Sequence, residues 1–393
     1  MTRCIRDVDS VTLEWAERLR QELHRYPELA FNEHQTATVV AEALRSLGLD
    51  AVYEGVAGTG VIGVLCGSRS GKTIALRADM DALAIEEETG LPYASLQPGL
   101  MHACGHDGHS AVVLGAARLL SKLRAELAGT VKFIFQPAEE EGAGAKCLVA
   151  AGVLRDEPPI EAIFALHGRS EVPLGSIELD PIPSAATNPF DVRVQGVESH
   201  GAYPHRGIDP IPIAAHIVTA LQQVVSRRVA PYESAVVTIG SFHAGAQRNV
   251  IPREAVLQGT IRTRDPAVQT RVVEEVRRIT TGTASAFGAQ AEIRFLEGYP
   301  RVKNDPTLME LVRAVGRELL GTDNVLEAHE QTMGGEDFAY YLTEQGGVPG
   351  CLFKLGLGCK AQLHTAQFDF GASALPYGIL MLANLARRYL GAE

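Results

Sequence analysis

The stretch LMHACGHDGHSA, residues 100–111, concentrates side chains that bind metals or move protons. These side chains are His102, Cys104, His106, Asp107 and His109. Thiolate and imidazole groups are good ligands for zinc-like transition metals. The alternative is a polar loop that caps the apolar helix predicted directly after it. The residue types favour metal binding.

Acidic and imidazole groups also follow four other predicted strands, each at the point where the strand ends. They are Asp79 and Asp81 in IALRADMDAL, Glu139 to Glu141 in FIFQPAEEEGAGA, His167 in IFALHGR and His364 in QLHTAQ. In open α/β sheets, ligands bind in the crevice beyond the carboxyl ends of the strands. We therefore expect these groups to converge with Cys104 on one site.

The number of converging groups suggests two metal ions about 3.5–4 Å apart, the spacing of co-catalytic hydrolase sites. Such a pair polarises a carbonyl group and lowers the pKa of a bound water toward about 7. One carboxylate must stay off the metals to take the proton of that water and pass it to the leaving group. The adjacent Glu139 and Glu140 suit this division, with one as the base and the other as a ligand.

The first part of the chain alternates helices with apolar strands. Helical periodicity covers residues 11–24, 36–47 and 110–127, and the strands are GVIGVLCG, TIALRAD, VKFIFQ and AIFALH. This order predicts an α/β fold, an open mixed sheet with helices on both faces. GVIGVLCG and TIALRAD are separated only by the turn signal SRSGK, so we expect these two strands to pair with each other.

The pattern changes near residue 190, where the predicted order becomes β-α-β-β-α-β. This order is typical of a ferredoxin-like α+β unit. After it, the chain resumes a helix, a strand at residues 351–355 and a final helix. We therefore predict a catalytic domain in two parts, residues 1–185 and 299–393, with an inserted ferredoxin-like domain at residues 186–298.

Composition narrows the class of protein. The 393 residues carry a formal net charge of -11 and are 46% apolar, with no long basic run, which argues against nucleic-acid and membrane partners. We expect no signal peptide, because the N-terminal segment lacks a continuous apolar run, and no transmembrane helix. The six cysteines lack paired spacing, which predicts reduced thiols in the cytoplasm.

Three motifs of other enzyme classes are rejected. GTGVIG, residues 58–63, matches the dinucleotide-binding pattern, but a strand rather than a helix follows its glycines. GSRSGKT lacks the first glycine of a phosphate-binding loop. The chain contains no G-x-S-x-G elbow, the signature of many serine hydrolases.

Nine segments resemble, in the same order, those of the two-metal aminoacylase and carboxypeptidase family. They are RADMDAL, MHACGHDGHSA, FQPAEEEGAGA, ALHG, SHGAYPHRGIDP, NVIP, GTIRT, GGEDFAYY and LHT. The resemblance spans almost the whole chain. It is closest to the amidohydrolase branch, which contains hippurate hydrolases, N-acyl-amino-acid amidohydrolases and auxin-conjugate hydrolases.

The resemblance implies a role for each matching residue of the first domain. The implied metal ligands are Cys104, His106, Glu140, His167 and His364, with the thiolate bridging two ions. Glu139 is the implied general base, and Asp81 supports the ligands from outside. Whether Asp79, His102 or His109 contacts a metal stays open. The ligand types do not distinguish manganese, zinc, cobalt and nickel.

The inserted domain is implied to act as a lid and to form a homodimer or higher homo-oligomer. His200 matches a histidine that stabilises the developing oxyanion, often across a dimer interface. Asn249 and Arg262 match positions that hold the substrate carboxylate, a task that suits a guanidinium fork.

These observations predict a metal-dependent amidohydrolase that cleaves N-acyl-L-amino acids, a small-molecule substrate class. The alternatives are a carboxypeptidase or dipeptidase acting on small peptides, and a non-catalytic metal- or ligand-binding protein on the same scaffold. The presence of Glu139 beside the ligands favours an enzyme, because a protein without turnover need not retain the base. The acyl group and the amino acid are not readable from the sequence.

Overall fold

Short runs rich in β-branched and aromatic residues form the strands, because such side chains pack well on a pleated, buried surface. The computed structural model describes residues 4–391. The strands in that range are β1 (Ala51–Val56), β2 (Gly60–Cys66), β3 (Arg69–Asp79), β4 (Ala128–Gln136), β5 (Ala162–Arg169), β6 (Ile177–Leu179), β7 (Ala186–Gln195), β8 (Ser199–His200), β9 (Ala235–Ala244), β10 (Val250–Ile251), β11 (Glu254–Thr263), β12 (Gln290–Phe295), β13 (Val325–Glu327) and β14 (Gly350–Gly356).

Amphipathic segments form the helices. They are α1 (Ser10–Arg25), α2 (His34–Ser46), α3 (His106–Lys122), α4 (Gly144–Ala150), α5 (Pro210–Arg228), α6 (Pro266–Ala286), α7 (Pro306–Leu320) and α8 (Leu375–Tyr389). Asp209, Asp265 and Asp305 cap α5, α6 and α7, and a proline follows each cap in the first turn. This is the preferred chemistry of a helix start. Among residues 4–391, no helix combines the length and apolar character needed to cross a bilayer.

The chain divides into two compact units. The first unit comprises the described parts of Met1–Pro183, Val302–Gln331 and Asp337–Glu393, and the second comprises Ser184–Arg301 and Thr332–Glu336. The sequence placed the boundaries at 185/186 and 298/299. It did not predict that residues 332–336 group with the second unit.

The first unit is built on an eight-stranded mixed sheet with the order β1-β2-β4-β3-β5-β14-β6-β13. Strands β4, β3, β5 and β14 run parallel to one another, so their carboxyl ends lie at the same edge. Helices pack on both faces of this sheet, so a hydrophobic core lies on each face. Successive residues of a strand point to opposite faces and therefore pack alternately into the two cores. Val131, Phe133 and Phe135 of β4 enter the larger core, whereas Ile134 enters the smaller one. The predicted α/β class is confirmed.

The prediction that β2 and β3 pair with each other is wrong. Strand β4 lies between them, antiparallel to β2 and parallel to β3. Nearly all of β4 is buried. A buried strand needs a neighbour on each side to satisfy its backbone N–H and C=O groups, and this requirement outweighs the short β2–β3 connection.

The second unit is an antiparallel sheet with the order β12-β7-β11-β9, covered on one face by α5 and α6. Its element order around the core is β7, α5, β9, β11, α6, β12, the predicted β-α-β-β-α-β pattern. Side chains such as Val192, Ile217, Leu257 and Val272 fill the single core between sheet and helices. The short strands β8 and β10 form a separate two-stranded ribbon within this unit.

Candidate metal centre

Parallel strands of the first unit deliver most of the predicted ligands to one edge of the sheet. β3 ends at Asp79, which stands beside Gln136, the last residue of β4. His167 lies near the end of β5, level with Lys354 of β14. The loop after β14 carries His364, whose backbone N–H donates to the Ala103 carbonyl at 2.8 Å. This bond places His364 beside the HACGH segment.

The sequence predicts a helix that begins at residue 110, which would leave His106 and His109 in the preceding loop, and this boundary is wrong. Both lie in the first turn of α3, which begins at His106 rather than Ser110. Gly105 is the N-cap residue and has a φ of 84°, a left-handed conformation that favours glycine. The helix therefore starts early enough to present His106 toward Cys104.

Six predicted side chains meet at this edge. In each of three groups the ligand atoms lie within 4.8 Å of one another: Cys104 with His106 and His167; Cys104 with Glu140 and His364; and His106 with Glu139 and Glu140. Cys104 Sγ lies 3.5 Å from His167 Nε2 and 3.3 Å from His364 Nε2. The sulfur thus stands between two sets of ligands, as a bridging thiolate would.

Hydrogen bonds at the far side of two imidazoles set the direction in which each ring faces. His106 Nδ1 lies 2.8 Å from the Asp81 carbonyl and His167 Nδ1 lies 2.7 Å from the Gly168 carbonyl. A carbonyl accepts only from an N–H, so each Nδ1 carries a proton, and in the neutral ring the Nε2 lone pair is the one left to face a metal. Burial also lowers the pKa of His167 well below its usual range, which keeps the ring neutral.

Buried polar atoms without partners test whether a cation fits these residues. Among the described residues, His106 Nε2 and Asp81 Oδ1 are buried and make no hydrogen bond, and Glu140 Oε1, also without one, lies 3.3 Å from His364 Nε2. Unsatisfied buried acceptors are costly, and a cation would satisfy them. Burial together with the charge of Glu140 raises the pKa of the Cys104 thiol well above its usual range, so a thiolate here needs a compensating positive charge. The residues fit a transition-metal centre.

Asp81 holds two of the predicted ligands. Its carbonyl accepts from His106, and its carboxylate Oδ2 accepts from the backbone N–H of Glu140 at 2.9 Å. Hydrogen bonds of this kind orient the ligand side chains, as expected of a residue that supports metal ligands from outside.

Asp79 and His109 are fully engaged by other protein groups. Asp79 accepts from Arg77 at 2.7 Å and from His109 Nδ1 at 2.7 Å, while His109 Nε2 accepts from the backbone N–H of Gly168 at 2.9 Å. Although burial alone would raise the pKa of Asp79, His106, Arg77 and His109 hold it well below its usual range. His109 therefore has no free nitrogen for a metal and joins the end of β3 to the end of β5.

Asp107, in the first turn of α3, and His102, in the loop before it, both lie close to His24 of α1. Asp107 accepts from Arg20 Nε at 3.0 Å and pairs with His24 Nδ1 at 2.9 Å, so it anchors α3 to α1. His102 is buried, and burial lowers its pKa to about 4. Within the described residues, His102 belongs to none of the groups that could hold a metal.

A buried network that the sequence did not predict supports the Glu139 loop. The Asp337 backbone N–H donates to Glu139 Oε1 at 3.4 Å. The Asp337 carboxylate accepts from Gln136 Nε2 at 2.7 and 2.9 Å, from the Ala145 backbone N–H at 2.9 Å and from Arg77 at 3.2 Å. Asp337 and Phe338 are fully buried. The GGEDF motif was the only signal of this network.

The remaining predicted residues lie in the second unit. His200 of β8 pairs with Val250 of β10, and the Gly201 backbone N–H donates to the Asn249 carbonyl at 2.7 Å, so His200 and Asn249 lie on the same ribbon. His200 is exposed. Arg262 lies on β11, where partial burial lowers its pKa from the usual value. The catalytic and binding roles of all these site residues stay predictions.

Comparison with known proteins places the chain in a family. The sequence profile of Peptidase family M20/M25/M40 matches residues 75–388. The chain is 40% identical to N-acetylcysteine deacetylase of Bacillus subtilis over 369 residues, covering 94% of this chain and 95% of the relative. It is 38% identical to thermostable carboxypeptidase 1 of Saccharolobus solfataricus over 386 residues, covering 96% and 95%.

A solved structure agrees in fold. The crystal structure of a Bacillus subtilis protein, described as a dinuclear metal binding peptidase from the M20 family, matches with a TM-score of 0.84 and 36% identity. The match covers 98% of this chain and 100% of that chain. The family resemblance and the enzyme class inferred from the sequence are thus confirmed, and the alternative of a non-catalytic binding protein is set aside. The chain belongs to Peptidase family M20/M25/M40 and is a metallo-amidohydrolase.

Proposed function

We propose that the chain hydrolyses the amide bond of N-acyl-L-amino acids with two divalent metal ions, releasing a carboxylic acid and a free amino acid. The convergence of Cys104, His106, Glu139, Glu140, His167 and His364 carries the proposal. Cys104 and His364 are 260 residues apart in the chain, yet their ligand atoms lie 3.3 Å apart. The relative named N-acetylcysteine deacetylase supports the acyl-amino-acid class.

The residues divide the chemistry among them. Cys104, His106, Glu140, His167 and His364 would hold the ions. When bound, the ions supply Lewis-acid polarisation of the amide carbonyl and lower the pKa of the attacking water. Glu139, only 6% exposed, takes the proton from that water and then donates it to the departing amine.

Residues of the second unit would complete the site. His200 would donate to the developing oxyanion, an interaction worth roughly 3–4 kcal/mol when the donor is preorganised. Asn249 and Arg262 would bind the substrate carboxylate, and the guanidinium suits a bidentate contact with it. His200 could act within its own subunit or across an interface between two copies.

A carboxypeptidase or dipeptidase activity is the second candidate. One relative with 38% identity is named thermostable carboxypeptidase 1. Both substrate classes present an amide bond next to a carbon that bears a carboxylate, so the same residues could serve either. A panel of acetyl-, benzoyl-, indoleacetyl- and fatty-acyl-amino acids, run beside dipeptides and blocked peptides, separates the candidates through their kcat/KM values.

The role of Glu139 is tested with Glu139→Gln. We expect this variant to keep its metal content by elemental analysis and to lose at least about 100-fold in kcat, because general-base transfer contributes about that much. A variant that kept its metal and hydrolysed acyl amino acids at the wild-type rate would refute Glu139 as the base. Elemental analysis of the wild-type protein also identifies the metal among manganese, zinc, cobalt and nickel.

The second unit would also act as a lid and as the dimerisation surface. Strand β9 lies at the edge of its sheet and contains no lysine, acidic residue or proline over ten residues, AVVTIGSFHA. Such an edge is a template for pairing with another chain. Light scattering in solution measures the oligomer; a strictly monomeric protein would contradict the dimer.

A cytoplasmic location would follow from the state of the thiols. All six cysteines are free, as expected in a reducing compartment. Fractionation of the source cells tests the location.

A further inference from the structure

Glu33 is a buried carboxylate that lies outside the predicted ligands. Its side chain is fully buried. Oε2 accepts from the Thr59 hydroxyl at 2.5 Å, and Oε1 accepts from the backbone N–H of Ala138 at 2.8 Å. Within residues 4–391, no basic side chain forms an ion pair with it. Glutamates are almost never fully buried unless they are paired, so this placement needs an explanation.

Capping of a helix does not explain it. Glu33 occupies the N-cap position of α2, but its side chain makes no capping hydrogen bond. The carboxylate of Glu28 performs that task instead, accepting from the backbone N–H groups of Gln35 at 3.1 Å and Thr36 at 2.9 Å. The Glu33 carboxylate is thereby free to leave its own helix and reach the loop after β4.

The residue that Glu33 contacts directly precedes the proposed base. Ala138 has a φ of 54°, a left-handed conformation that is unfavourable for a residue with a Cβ atom. Its N–H is bound by Glu33, and its carbonyl accepts from the Gly144 N–H at 3.0 Å. Both backbone polar groups of Ala138 are therefore held by hydrogen bonds. The conformation of Ala138 determines the direction in which Glu139 leaves the loop.

We propose that Glu33 is a positioning residue for Glu139: it holds the Ala138 peptide in the conformation that directs the base into the metal centre. This inference rests on the proposed role of Glu139. A carboxylate or amide oxygen at this position is sufficient for the task, since the essential contact is acceptance of one N–H. Negative charge at Glu33 is not required.

Three variants separate positioning from general stabilisation. Glu33→Ala removes the acceptor of the Ala138 N–H, and Glu33→Gln keeps an acceptor of the same length. Thr59→Val removes the other hydrogen bond of the same carboxylate without touching Ala138, and is the matched control. Each protein is loaded with the same metal, and kcat, KM, metal content and melting temperature are measured.

We expect Glu33→Ala to lower kcat by about 10- to 100-fold, the effect of a displacement near 1 Å at a reacting group. KM and metal content should stay near wild type, because Asp81 still holds Glu140 through its backbone N–H and only the transition state loses stabilisation. Glu33→Gln and Thr59→Val should keep kcat within about threefold of wild type. Hydrogen exchange of residues 137–145 should be faster in Glu33→Ala than in Thr59→Val.

Two outcomes would overturn the inference. One is an equal loss of kcat in Glu33→Ala and Thr59→Val, which would mean general destabilisation. The other is unchanged kcat and loop exchange in Glu33→Ala while Glu139→Gln is inactive. If Glu139→Gln is itself fully active with its metal retained, the base assignment fails rather than the role of Glu33.

Discussion

At the scale of single residues, the site contains two kinds of side chain. Some would face a cation, and others hold those side chains in position. Cys104, His106 and Glu140 present atoms without hydrogen-bond partners or with unfavourable burial, whereas Asp79 and His109 have their hydrogen bonds committed to neighbouring protein groups. The unsatisfied atoms of His106 and Glu140 support the ligand roles proposed for them.

Cys104→Ser is expected to weaken metal binding at the centre. A serine hydroxyl does not ionise at neutral pH, so the sulfur proposed as a metal ligand would be replaced by a neutral and weaker donor. We expect elemental analysis after dialysis to find less metal in Cys104→Ser than in wild type. Cys66→Ser is the control, because Cys66 is a free cysteine on β2 that belongs to no ligand group among the described residues. Full metal content in Cys104→Ser would contradict the proposed role of Cys104 as a metal ligand.

At the scale of elements, the start of α3 decides where His106 and His109 lie. Gly105 provides the left-handed turn into the helix, and Gly108 lies against the ring of Phe370. A Cβ atom on Gly108 would lie 2.2–2.5 Å from three atoms of that ring, which is far inside normal contact. The first turn of α3 therefore tolerates no side chain at this position without moving.

Gly108→Ala is expected to lower the free energy of unfolding by about 1–3 kcal/mol, the usual cost of overpacking. Gly282→Ala in α6 is the matched control, because a Cβ there meets nothing within 4 Å. That substitution should stabilise the protein by roughly 0.5–1 kcal/mol, since alanine is the better helix former. Both values come from urea unfolding followed by circular dichroism. A stabilising effect at Gly108 would show that the contact with Phe370 relaxes without cost.

At the scale of the whole molecule, buried charge clusters make stability depend on pH. His24 is fully buried, and although burial opposes its charge, Asp107 and Glu87 raise the pKa of His24 to about 9. The unfolded value is about 6.5. Because the folded pKa is the higher one, this stabilisation is fully present below about pH 6.5 and is lost as the pH rises through about 9.

We therefore expect the urea midpoint of the wild-type protein to fall between pH 6.5 and pH 9.5 more than that of His24→Gln. The variant should be less stable at pH 6.5, because Asp107 loses a charged partner, but its midpoint should change less with pH. Equal pH dependence in the two proteins would show that His24 does not titrate in this range.

Much of the fold and of the site could be predicted because the information is local. Helix periodicity, strand runs and the β-α-β-β-α-β order identified most of the longer helices and strands within a few residues, since burial of one face dictates the period of apolar residues. The ligand types and their position after parallel strands predicted where Cys104, Glu140 and His167 would meet. The sequence by itself thus determined the fold class and the chemistry of the centre.

Only the tertiary structure decided how these parts are held. The insertion of β4 between β2 and β3 and the bonds from Asp337 and Glu33 to the Glu139 loop all join segments far apart in the chain. Such contacts produce no recognisable period or spacing in the sequence. The partner of a buried hydrogen-bond donor is the acceptor that the folded chain places next to it, and that acceptor can come from any part of the chain.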